Sequence, residues 1–424
     1  MKKEEYTLRR KKLSEMITPG SLAVIHSNDR MPTNADGAMP FKQNTDLLWL
    51  CGIDQEETIL LLFPSHPNRS MHEMLFIRQP QELYLKWHGH SLSAEDATAI
   101  SGIETIKWVE SFEQVLFQAM SLATCIYLNA LEHPRSVNKV ETRDMRFSKG
   151  IRNSFPLHKT ARLAPLLGHL RNTKSLDEIT AIKEACRISG LGFRRALQFV
   201  KPGCSAKLIE AELIHEYMQH GGSWAGYEPI IAAGSNTCIL HYTSNTNTCV
   251  AGDLLLMDAA ASFNHYNADL TRVIPVDGRY TGRQKDIYKA VLDIQLQLKQ
   301  FIKAGLVLSE IEQYKNELVI SALCHLGLCT PTEIKLKGMT YFINRYSYHG
   351  FGHYIGLDVH DTGDNYAKLP EHCVLTVEPG IYIWEESTGV RIENVVEVLQ
   401  DRCNDLMGDI PVEPEEIEHL MHKP

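Results

Sequence analysis

Two aspartates, Asp258 and Asp269, lie eleven positions apart in the string Leu-Met-Asp-Ala-Ala-Ala-Ser-Phe-Asn-His-Tyr-Asn-Ala-Asp-Leu-Thr-Arg. The apolar run 254–257 leads directly into Asp258, so a carboxylate stands at the end of a buried strand. Asp269 opens a second extended run, 270–276, after a short turn around residues 264–267. A hairpin of this kind brings both carboxylates to one place, and two buried like charges are costly unless a cation offsets them. The pattern therefore predicts a metal site.

Three groups downstream could complete this site. His353 belongs to a segment rich in histidine and glycine, His-Gly-Phe-Gly-His-Tyr-Ile-Gly-Leu-Asp-Val-His-Asp, at residues 349–361. Glu378 and Glu393 each lie in an otherwise apolar β-type run, where an unpaired carboxylate would be costly to bury. Taken singly, each residue has a structural alternative, such as a turn aspartate, a solvated glutamate or a buried histidine. Taken together, the candidate metal ligands are Asp258, Asp269, His353, Glu378 and Glu393.

This ligand set contains four carboxylates and one imidazole. Mostly hard oxygen ligands with one nitrogen favour Mn²⁺, with Co²⁺, Zn²⁺ or Fe²⁺ as alternatives. Five ligands with four negative charges suit two divalent ions better than one. Two ions about 3.5–4 Å apart can share a bridging hydroxide and polarise a carbonyl, as in two-metal hydrolases. The set therefore predicts a hydrolase with two divalent metal ions.

Composition restricts the class of protein. A chain of 424 residues is too long for one ordinary core, and 44% hydrophobic with 22% charged residues is typical of a soluble globular protein. A net charge of −9 argues against a nucleic-acid partner, and no apolar run approaches the roughly 20 residues that span a bilayer. The start of the chain does not resemble a secretory signal, and ten irregularly spaced cysteines favour reduced thiols. We therefore expect a cytoplasmic protein without a membrane partner.

Two domains are predicted, 1–165 and 166–424, with the boundary in the proline-containing and basic segment 156–171. Residues 20–160 alternate β-type and helical runs, which is an α/β pattern. The chain begins with a charged helix whose Tyr6, Leu8, Leu13 and Met16 are expected to face inward.

The second domain is predicted to be α+β, with helices on one side of a curved antiparallel sheet. A capping box at Ser175-Leu-Asp-Glu178 begins its first helix. Further helices are predicted at 282–304, at 309–327 and after Glu413, and β-type structure at 229–276 and 347–399.

These residues resemble the M24 "pita-bread" metallopeptidases, and within them the aminopeptidase P (Xaa-Pro aminopeptidase) group. The resemblance extends over nearly all of the chain. Its motifs in the second half are Ile239-Leu-His241-Tyr-Thr, the Asp258/Asp269 hairpin, the segment 349–361, Leu375-Thr-Val-Glu378-Pro-Gly-Ile-Tyr382-Ile and Val390-Arg391-Ile-Glu393. Those in the first half are Ala35-Asp36, Phe41-Lys-Gln-Asn-Thr-Asp46-Leu-Leu-Trp-Leu-Cys-Gly52 and Leu85-Lys-Trp87-His-Gly.

The resemblance implies a pita-bread catalytic domain behind a smaller α/β amino-terminal domain. It implies hydrolysis of peptides with proline in second position, releasing the amino-terminal residue by attack of a hydroxide that bridges two metal ions. In this pattern Asp258 binds one ion, His353 and Glu378 bind the other, and Asp269 and Glu393 bridge both. Glu378 is also expected to act as general base.

The same resemblance implies further site residues. His241, His349 and His360 match histidines around the metals, with His360 favoured as contact to the scissile carbonyl and His241 as stabiliser of the oxyanion; these two roles could be exchanged. Arg391 could bind a substrate carbonyl or carboxylate, orient the metal ligands, or form an ordinary ion pair. Tyr382 could donate a hydrogen bond near the general base, and Tyr227 matches a position that lines the pocket for the first substrate residue. Both tyrosines could instead be packing residues.

Trp87 matches a tryptophan that reaches towards the active site of a neighbouring subunit in this family. It supports a homo-oligomer, a dimer or tetramer formed through the amino-terminal domain, although local packing of Trp87 is the alternative. The loop before Val374 and the string Asn404-Asp-Leu-Met407 depart from the family pattern, and neither removes a ligand.

Other functions remain open at this point. Prolidase uses the same metals on Xaa-Pro dipeptides, and the strings at Asp36 and 41–52 favour aminopeptidase P over it. Creatinase-type enzymes lack the metal ligands that this chain retains, and a non-catalytic peptide-binding member would be expected to lose ligands or His360. Methionine aminopeptidase normally lacks the long amino-terminal domain.

Overall fold

The structure is a computed structural model, which describes residues 1–89, 91–136 and 139–422. It divides into two compact units, Met1–Arg171 and Asn172–Pro424. The predicted domain boundary, between residues 165 and 166, lies within the helix Ala164–Asn172. Its position stays a prediction.

Unit 1 contains a six-stranded mixed sheet with the strand order β4-β3-β2-β1-β5-β6. Its strands are β1 (Ser21–His26), β2 (Ile59–Leu62), β3 (Glu73–Ile77), β4 (Thr105–Trp108), β5 (Cys125–Leu128) and β6 (Lys159–Arg162). Its helices are α1 (Lys3–Met16), α2 (Thr45–Cys51), α3 (Glu82–His88), α4 (Ala94–Ser101), α5 (Phe112–Met120), α6 (Arg143–Ser154) and α7 (Ala164–Asn172). The α/β character that the sequence predicts for this part of the chain is confirmed.

The core of unit 1 follows from alternation along its strands. Every second residue, such as Leu22 and Val24 of β1, points to one face of the sheet, where Phe112 and Leu116 of α5 pack against them. Helix α1 behaves differently from the expectation. Leu13 is buried as predicted, but Leu8 is 45% exposed.

Unit 2 combines long helices with four small sheets, in all of which the strand pairs are antiparallel. Its helices are α8 (Leu176–Phe199), α9 (Ala206–Gln219), α10 (Gly282–Phe301), α11 (Leu308–His325), α12 (Pro331–Lys337), α13 (Met339–Tyr346) and α14 (Pro414–Met421). Its strands are β7 (Ile230–Ala233), β8 (Leu254–Asp258), β9 (Ser262–Phe263), β10 (Tyr266–Asn267), β11 (Thr271–Pro275), β12 (Val374–Val377), β13 (Gly380–Ile383), β14 (Thr388–Arg391), β15 (Asn394–Val398) and β16 (Cys403–Asp405). The predicted α+β class is confirmed.

Several predicted elements of unit 2 are confirmed, including the capping box, in which the Glu178 carboxylate accepts from the Ser175 backbone N–H at 2.8 Å. The sequence predicts β-type runs within 229–276 and a β-rich segment at 347–399, and strands β7–β11 and β12–β15 lie in these ranges. Two parts of them, 239–252 and 347–373, contain only isolated bridges. Both parts are rich in polar residues, glycine or proline, which favour turns over strands. No helix of the described ranges is long and apolar enough to cross a membrane.

Candidate metal centre

The two aspartates of the predicted hairpin lie at the end of strand β8 and just before strand β11. Strand β11 pairs with β8 so that Thr271 lies opposite Asp258. The connection folds back through the β9–β10 hairpin, whose two turn residues, Asn264 and His265, have φ angles of 48° and 69°. A two-residue turn with both φ angles positive matches the twist of the paired strands. Asp258 and Asp269 are 8% and 5% exposed, so both carboxylates are buried.

Asp269, His353 and Glu393 form a group whose potential ligand atoms all lie within 4.8 Å of one another. Nε2 of His353 lies 3.5 Å from Oδ2 of Asp269 and 3.7 Å from Oε1 of Glu378. Nδ1 of the same ring lies 2.9 Å from the backbone oxygen of Tyr354, which can only accept, so Nδ1 carries the proton. With Nδ1 as the donor to the backbone, Nε2 faces the carboxylates, which is the orientation that a metal-binding histidine needs.

Burial raises the pKa values of two acids of this cluster. Desolvation raises the pKa of Glu378, and the charges of His353 and Arg391 oppose the rise. Desolvation, followed by the charges of Asp269 and Glu378, raises the pKa of Glu393 well above its ordinary value. Buried carboxyl groups with a raised pKa are groups that a bound cation would stabilise in the ionised form.

Asp258 is held by two donors. Its Oδ2 accepts from Nη2 of Arg391 at 2.6 Å, and its Oδ1 accepts from the Tyr227 hydroxyl at 2.5 Å. Desolvation raises the pKa of Asp258, while Arg391 lowers it. Each carboxylate oxygen has a second lone pair, so both hydrogen bonds are compatible with a bound metal ion.

Arg391 connects several predicted residues. Its guanidinium also donates to the Tyr382 hydroxyl at 3.0 Å and to Oγ1 of Thr271 at 3.1 Å. Oγ1 of Thr271 in turn donates to Oε2 of Glu393 at 2.6 Å. Burial alone would lower the pKa of Arg391, but Tyr382 and Asp258 beside it raise that pKa well above its ordinary value, so the guanidinium is a permanent cation.

The predicted histidines occupy three different environments. His349 donates from Nδ1 to the Gly350 carbonyl at 2.9 Å, and its Nε2 accepts from the Tyr382 hydroxyl at 2.8 Å. The ring of His360 packs edge-on against His353, with 4.4 Å between ring centroids. His241 lies in the irregular chain after the 3₁₀ helix Gly234–Cys238, and its side chain is exposed. His349 and His360 therefore lie at the cluster, and among the residues that the structure describes no hydrogen bond, ion pair or ring contact connects His241 with it.

The segment that carries these histidines lies directly on strand β12. The backbone N–H of Thr376 donates to the His353 carbonyl at 2.9 Å, and that of Glu378 donates to the Phe351 carbonyl at 2.8 Å. Gly352 permits this close approach, because a Cβ there would fall 2.1 Å from the Thr376 carbonyl oxygen. The glycine is thus required by the packing that places His353 beside Glu378.

Sequence reasoning missed Thr271, Lys174 and Lys315. Thr271 could have been found, because alternation along a strand puts it on the same side as Asp269, two residues earlier. The lysines had no such signal, since their partners are distant in sequence; Lys174, for example, binds Asp361.

The donor set fits divalent metal ions. The buried cluster combines carboxylate oxygens with one imidazole nitrogen that faces them. Arg391 pairs with Asp258, so its positive charge offsets only part of the negative charge of the buried acids. Hard oxygen ligands with one nitrogen suit Mn²⁺, Zn²⁺, Co²⁺ or Fe²⁺.

Comparisons with known proteins identify the family of the chain. The sequence model of metallopeptidase family M24 matches residues 180–400, and that of the aminopeptidase P N-terminal domain matches residues 6–127. The chain is 30% identical over 432 residues to the Xaa-Pro aminopeptidase of Escherichia coli strain K12, covering 99% of this chain and 98% of that protein.

Solved structures show the same fold. Zinc-substituted E. coli aminopeptidase P in complex with product superimposes with a TM-score of 0.89 at 28% identity, and the aminopeptidase PepP of Pseudomonas aeruginosa with 0.90 at 28%. Each comparison covers 99% of this chain and 98% of the other. The ranges that these two structures match extend over both compact units and include all the buried acids of the cluster. The chain therefore belongs to metallopeptidase family M24 and carries the aminopeptidase P type of amino-terminal domain.

Proposed function

We propose that this protein is a metal-dependent aminopeptidase that releases the first residue of peptides with proline in second position. The observation that carries the proposal is the buried group of Asp269, His353 and Glu393, with Glu378 beside it. Full-length similarity to proteins named Xaa-Pro aminopeptidase supports the substrate class. Retention of all five candidate ligands argues against a creatinase-type or non-catalytic member.

The site residues have three proposed roles: metal ligand, general base and hydrogen-bond donor. Asp258, Asp269, His353, Glu378 and Glu393 would hold two divalent ions, and we favour Mn²⁺. When bound, such ions acidify water and polarise a carbonyl. Glu378 would accept the proton from the attacking water at a carboxylate oxygen and pass it to the proline nitrogen, which must be protonated to leave. His360 and His241 would donate hydrogen bonds to the substrate carbonyl and the developing oxyanion.

The environment of Arg391 favours an aminopeptidase over prolidase. A prolidase must recognise the free carboxylate of its dipeptide. Arg391 is 3% exposed, and its donors are already directed at Asp258, Tyr382 and Thr271. Arg391 therefore serves to orient Asp258 and Tyr382, and its engagement leaves it poorly placed to bind a substrate carboxylate.

The test is a peptidase assay with Mn²⁺ and a matched chelated sample. We expect release of alanine from Ala-Pro-Ala, far slower release from the dipeptide Ala-Pro, and loss of activity after chelation that Mn²⁺ restores. Parallel reloading with Zn²⁺, Co²⁺ and Fe²⁺ ranks the metals.

Ala-Ala-Ala is the control for the proline requirement. Cleavage of Ala-Pro alone would make the protein a prolidase, and equal cleavage of Ala-Ala-Ala would refute the proline preference. An absence of metal-dependent cleavage would refute the enzyme assignment.

We also propose a homo-oligomer in which α3 of unit 1 contacts a second copy. Trp87 and Leu83, four residues apart on this helix, are 77% and 67% exposed. Residues with this spacing share one helix face, and exposed aromatic residues are typical of interfaces. Trp87 is the residue that the family resemblance places at a neighbouring subunit.

Trp87→Ala is expected to lower the molar mass measured by light scattering, or to weaken assembly at low protein concentration, and to reduce kcat/KM about tenfold, an effect of roughly 1.4 kcal/mol. Phe117→Ala is the control, because Phe117 is an equally exposed aromatic residue (68%) of the same unit. A wild-type mass of 48.0 kDa, that of one chain, would contradict the oligomer.

A cytoplasmic location is the last part of the proposal. All ten cysteines lie in the described ranges as free thiols. Even Cys324 and Cys329, whose sulfur atoms are 3.5 Å apart, are not joined by a disulfide. Free thiols are the rule in reducing compartments.

A further inference from the structure

Two buried lysines reach the segment that carries the histidines of the site, residues 349–361, which we call the histidine loop. Lys174 and Lys315 are 4% and 1% exposed. Burying an ammonium group is costly unless it is paired, so the position of such a lysine is dictated by its partners. Both lysines have partners in the histidine loop, one near each end.

Lys174 holds the carboxyl end of the loop. Its Nζ donates to Oδ2 of Asp361 at 2.8 Å, and both side chains are almost completely buried. The lysine backbone is itself fixed, because its N–H donates to the His372 carbonyl at 2.9 Å and helix α8 begins two residues later. Gly356 leaves room for this pair, since a Cβ there would fall 2.2 Å from Oδ2 of Asp361. Asp361 follows His360 directly, so the ion pair fixes the backbone next to that histidine.

Lys315 of α11 holds the amino end. Its Nζ donates to the His349 carbonyl at 2.9 Å and pairs with Oε1 of Glu312 at 2.9 Å. The second oxygen of Glu312 accepts from the Phe351 backbone N–H at 2.8 Å. One turn of α11 thus holds both a carbonyl and an N–H of the loop, on either side of Gly350.

The two anchors act on a part of the loop that has little regular structure. Residues 347–373 contain a single isolated bridge, Tyr354 to Leu375, among the described residues. Buried ion pairs contribute little net stability compared with apolar packing, but they restrict the chain to arrangements in which the pair is made. Catalytic donors lose about 10²-fold in rate when displaced by roughly 1 Å, so such a restriction matters for turnover.

We propose that Lys174 and Lys315 are positioning residues that set His360 and His349, respectively, by anchoring the two ends of the histidine loop. The inference rests on the proposed peptidase function for its kinetic consequences. Its structural consequence, an ordered loop, can be measured without any activity.

The variants Lys174→Met and Lys315→Met remove each charge while keeping much of the apolar stem. We expect kcat to fall about 10- to 100-fold in Lys174→Met, with KM changed by less than about threefold, because the placement of the His360 donor and not substrate binding is impaired. For Lys315→Met we expect kcat/KM to fall by a similar factor, because His349 and its partner Tyr382 are displaced. Lys299→Met is the matched control. It breaks an ion pair of the same 2.8 Å length, with Asp405, that joins α10 to β16. We expect its kcat to remain at the wild-type level.

A double-mutant cycle separates positioning from general damage. If Lys174 acts through His360, Lys174→Met should have little further effect on kcat in a His360→Ala background. If Lys315 acts through His349, Lys315→Met should have little further effect on kcat/KM in a His349→Ala background. Fully multiplicative losses in these double variants would overturn the proposal. If a single lysine variant does not fold, Lys174→Met/Asp361→Asn or Lys315→Met/Glu312→Gln replaces it, since these leave no unpaired buried charge.

Hydrogen–deuterium exchange gives the activity-independent result. Amides of residues 350–362 should exchange at least tenfold faster in the two lysine variants than in wild type or Lys299→Met. Unchanged exchange in this segment would overturn the anchoring. If wild-type protein cleaves no peptide, the proposed function fails, while the exchange measurement still decides whether the lysines order the loop.

Discussion

Glu393→Gln is expected to lower the bound metal from two ions per chain to one or none and to abolish peptidase activity. The substitution keeps the size of the side chain and an oxygen that can accept from Thr271, at present 2.6 Å from Oε2. It removes one of the negative charges that make the cluster cation-binding, and an amide oxygen is a poor bridging ligand. Inductively coupled plasma mass spectrometry of the dialysed protein measures the stoichiometry.

Thermal unfolding supplies a second readout for the same variant. A ligand at 100 times its Kd stabilises the native state by about 2.7 kcal/mol, so added Mn²⁺ should raise the Tm of the wild type clearly. The Tm of Glu393→Gln should respond much less.

Glu397→Gln is the control for Glu393→Gln. Glu397 is a buried carboxylate (6% exposed) of the neighbouring strand β15, paired with His372 at 2.9 Å. This variant should bind two ions and retain activity. Two ions in Glu393→Gln would show that Glu393 is not a ligand.

His360→Ala is expected to lower kcat about 10²- to 10³-fold, or roughly 3–4 kcal/mol in activation free energy, while both metal ions stay bound. The ring packs edge-on against His353 with 4.4 Å between ring centroids, and the Nε2 of His353 faces the acids. The variant therefore removes a donor for the reacting carbonyl and not a metal ligand. Steady-state kinetics on Ala-Pro-Ala, with the metal content of the same sample, measure both quantities.

Two further variants, His325→Ala and His241→Ala, are compared with His360→Ala. His325→Ala, at an exposed position at the end of α11, should behave as wild type. His241→Ala tests the exposed histidine, and a loss there as large as in His360→Ala would assign both proposed donors. Unchanged turnover in His360→Ala would remove His360 from the catalytic groups, and loss of metal would make it a ligand.

The core of the site was predictable because its acids interrupt apolar strands. A carboxylate after residues 254–257, or among the valines around Glu393, is costly to bury unless a cation offsets its charge. The structure places Glu393 beside Asp269 and His353, and pairs the strand of Asp258 with β11. Short-range patterns also revealed the hairpin and the capping box of α8. The residues that determine each of these features lie within one short stretch of the sequence.

What the sequence did not reveal depends on distant partners. Helix α1 buries Arg9 and Arg10 while leaving Leu8 exposed. Arg10 is accommodated because it reaches carbonyl groups of Leu50 and Ser101, which no local pattern predicts. The same reason hid Lys174, whose partner lies 187 residues away. The positions of buried cationic side chains depend on hydrogen-bond acceptors that are distant in sequence, and hydrophobic periodicity does not predict those acceptors.

The order in which the site residues occur along the chain has a consequence for its biosynthesis. Asp258 and Asp269 are on β8 and next to β11, whereas Glu393 follows β14, more than a hundred residues later. Arg391 and Thr271, which orient the first and last of these acids, are equally far apart in sequence. A nascent chain therefore presents an acidic hairpin for many seconds, at about 5–20 residues per second, before the remaining ligands emerge. If the proposed ligands are correct, loading of both metal ions can be completed only after strands β13 and β14 and Glu393 have left the ribosome and packed.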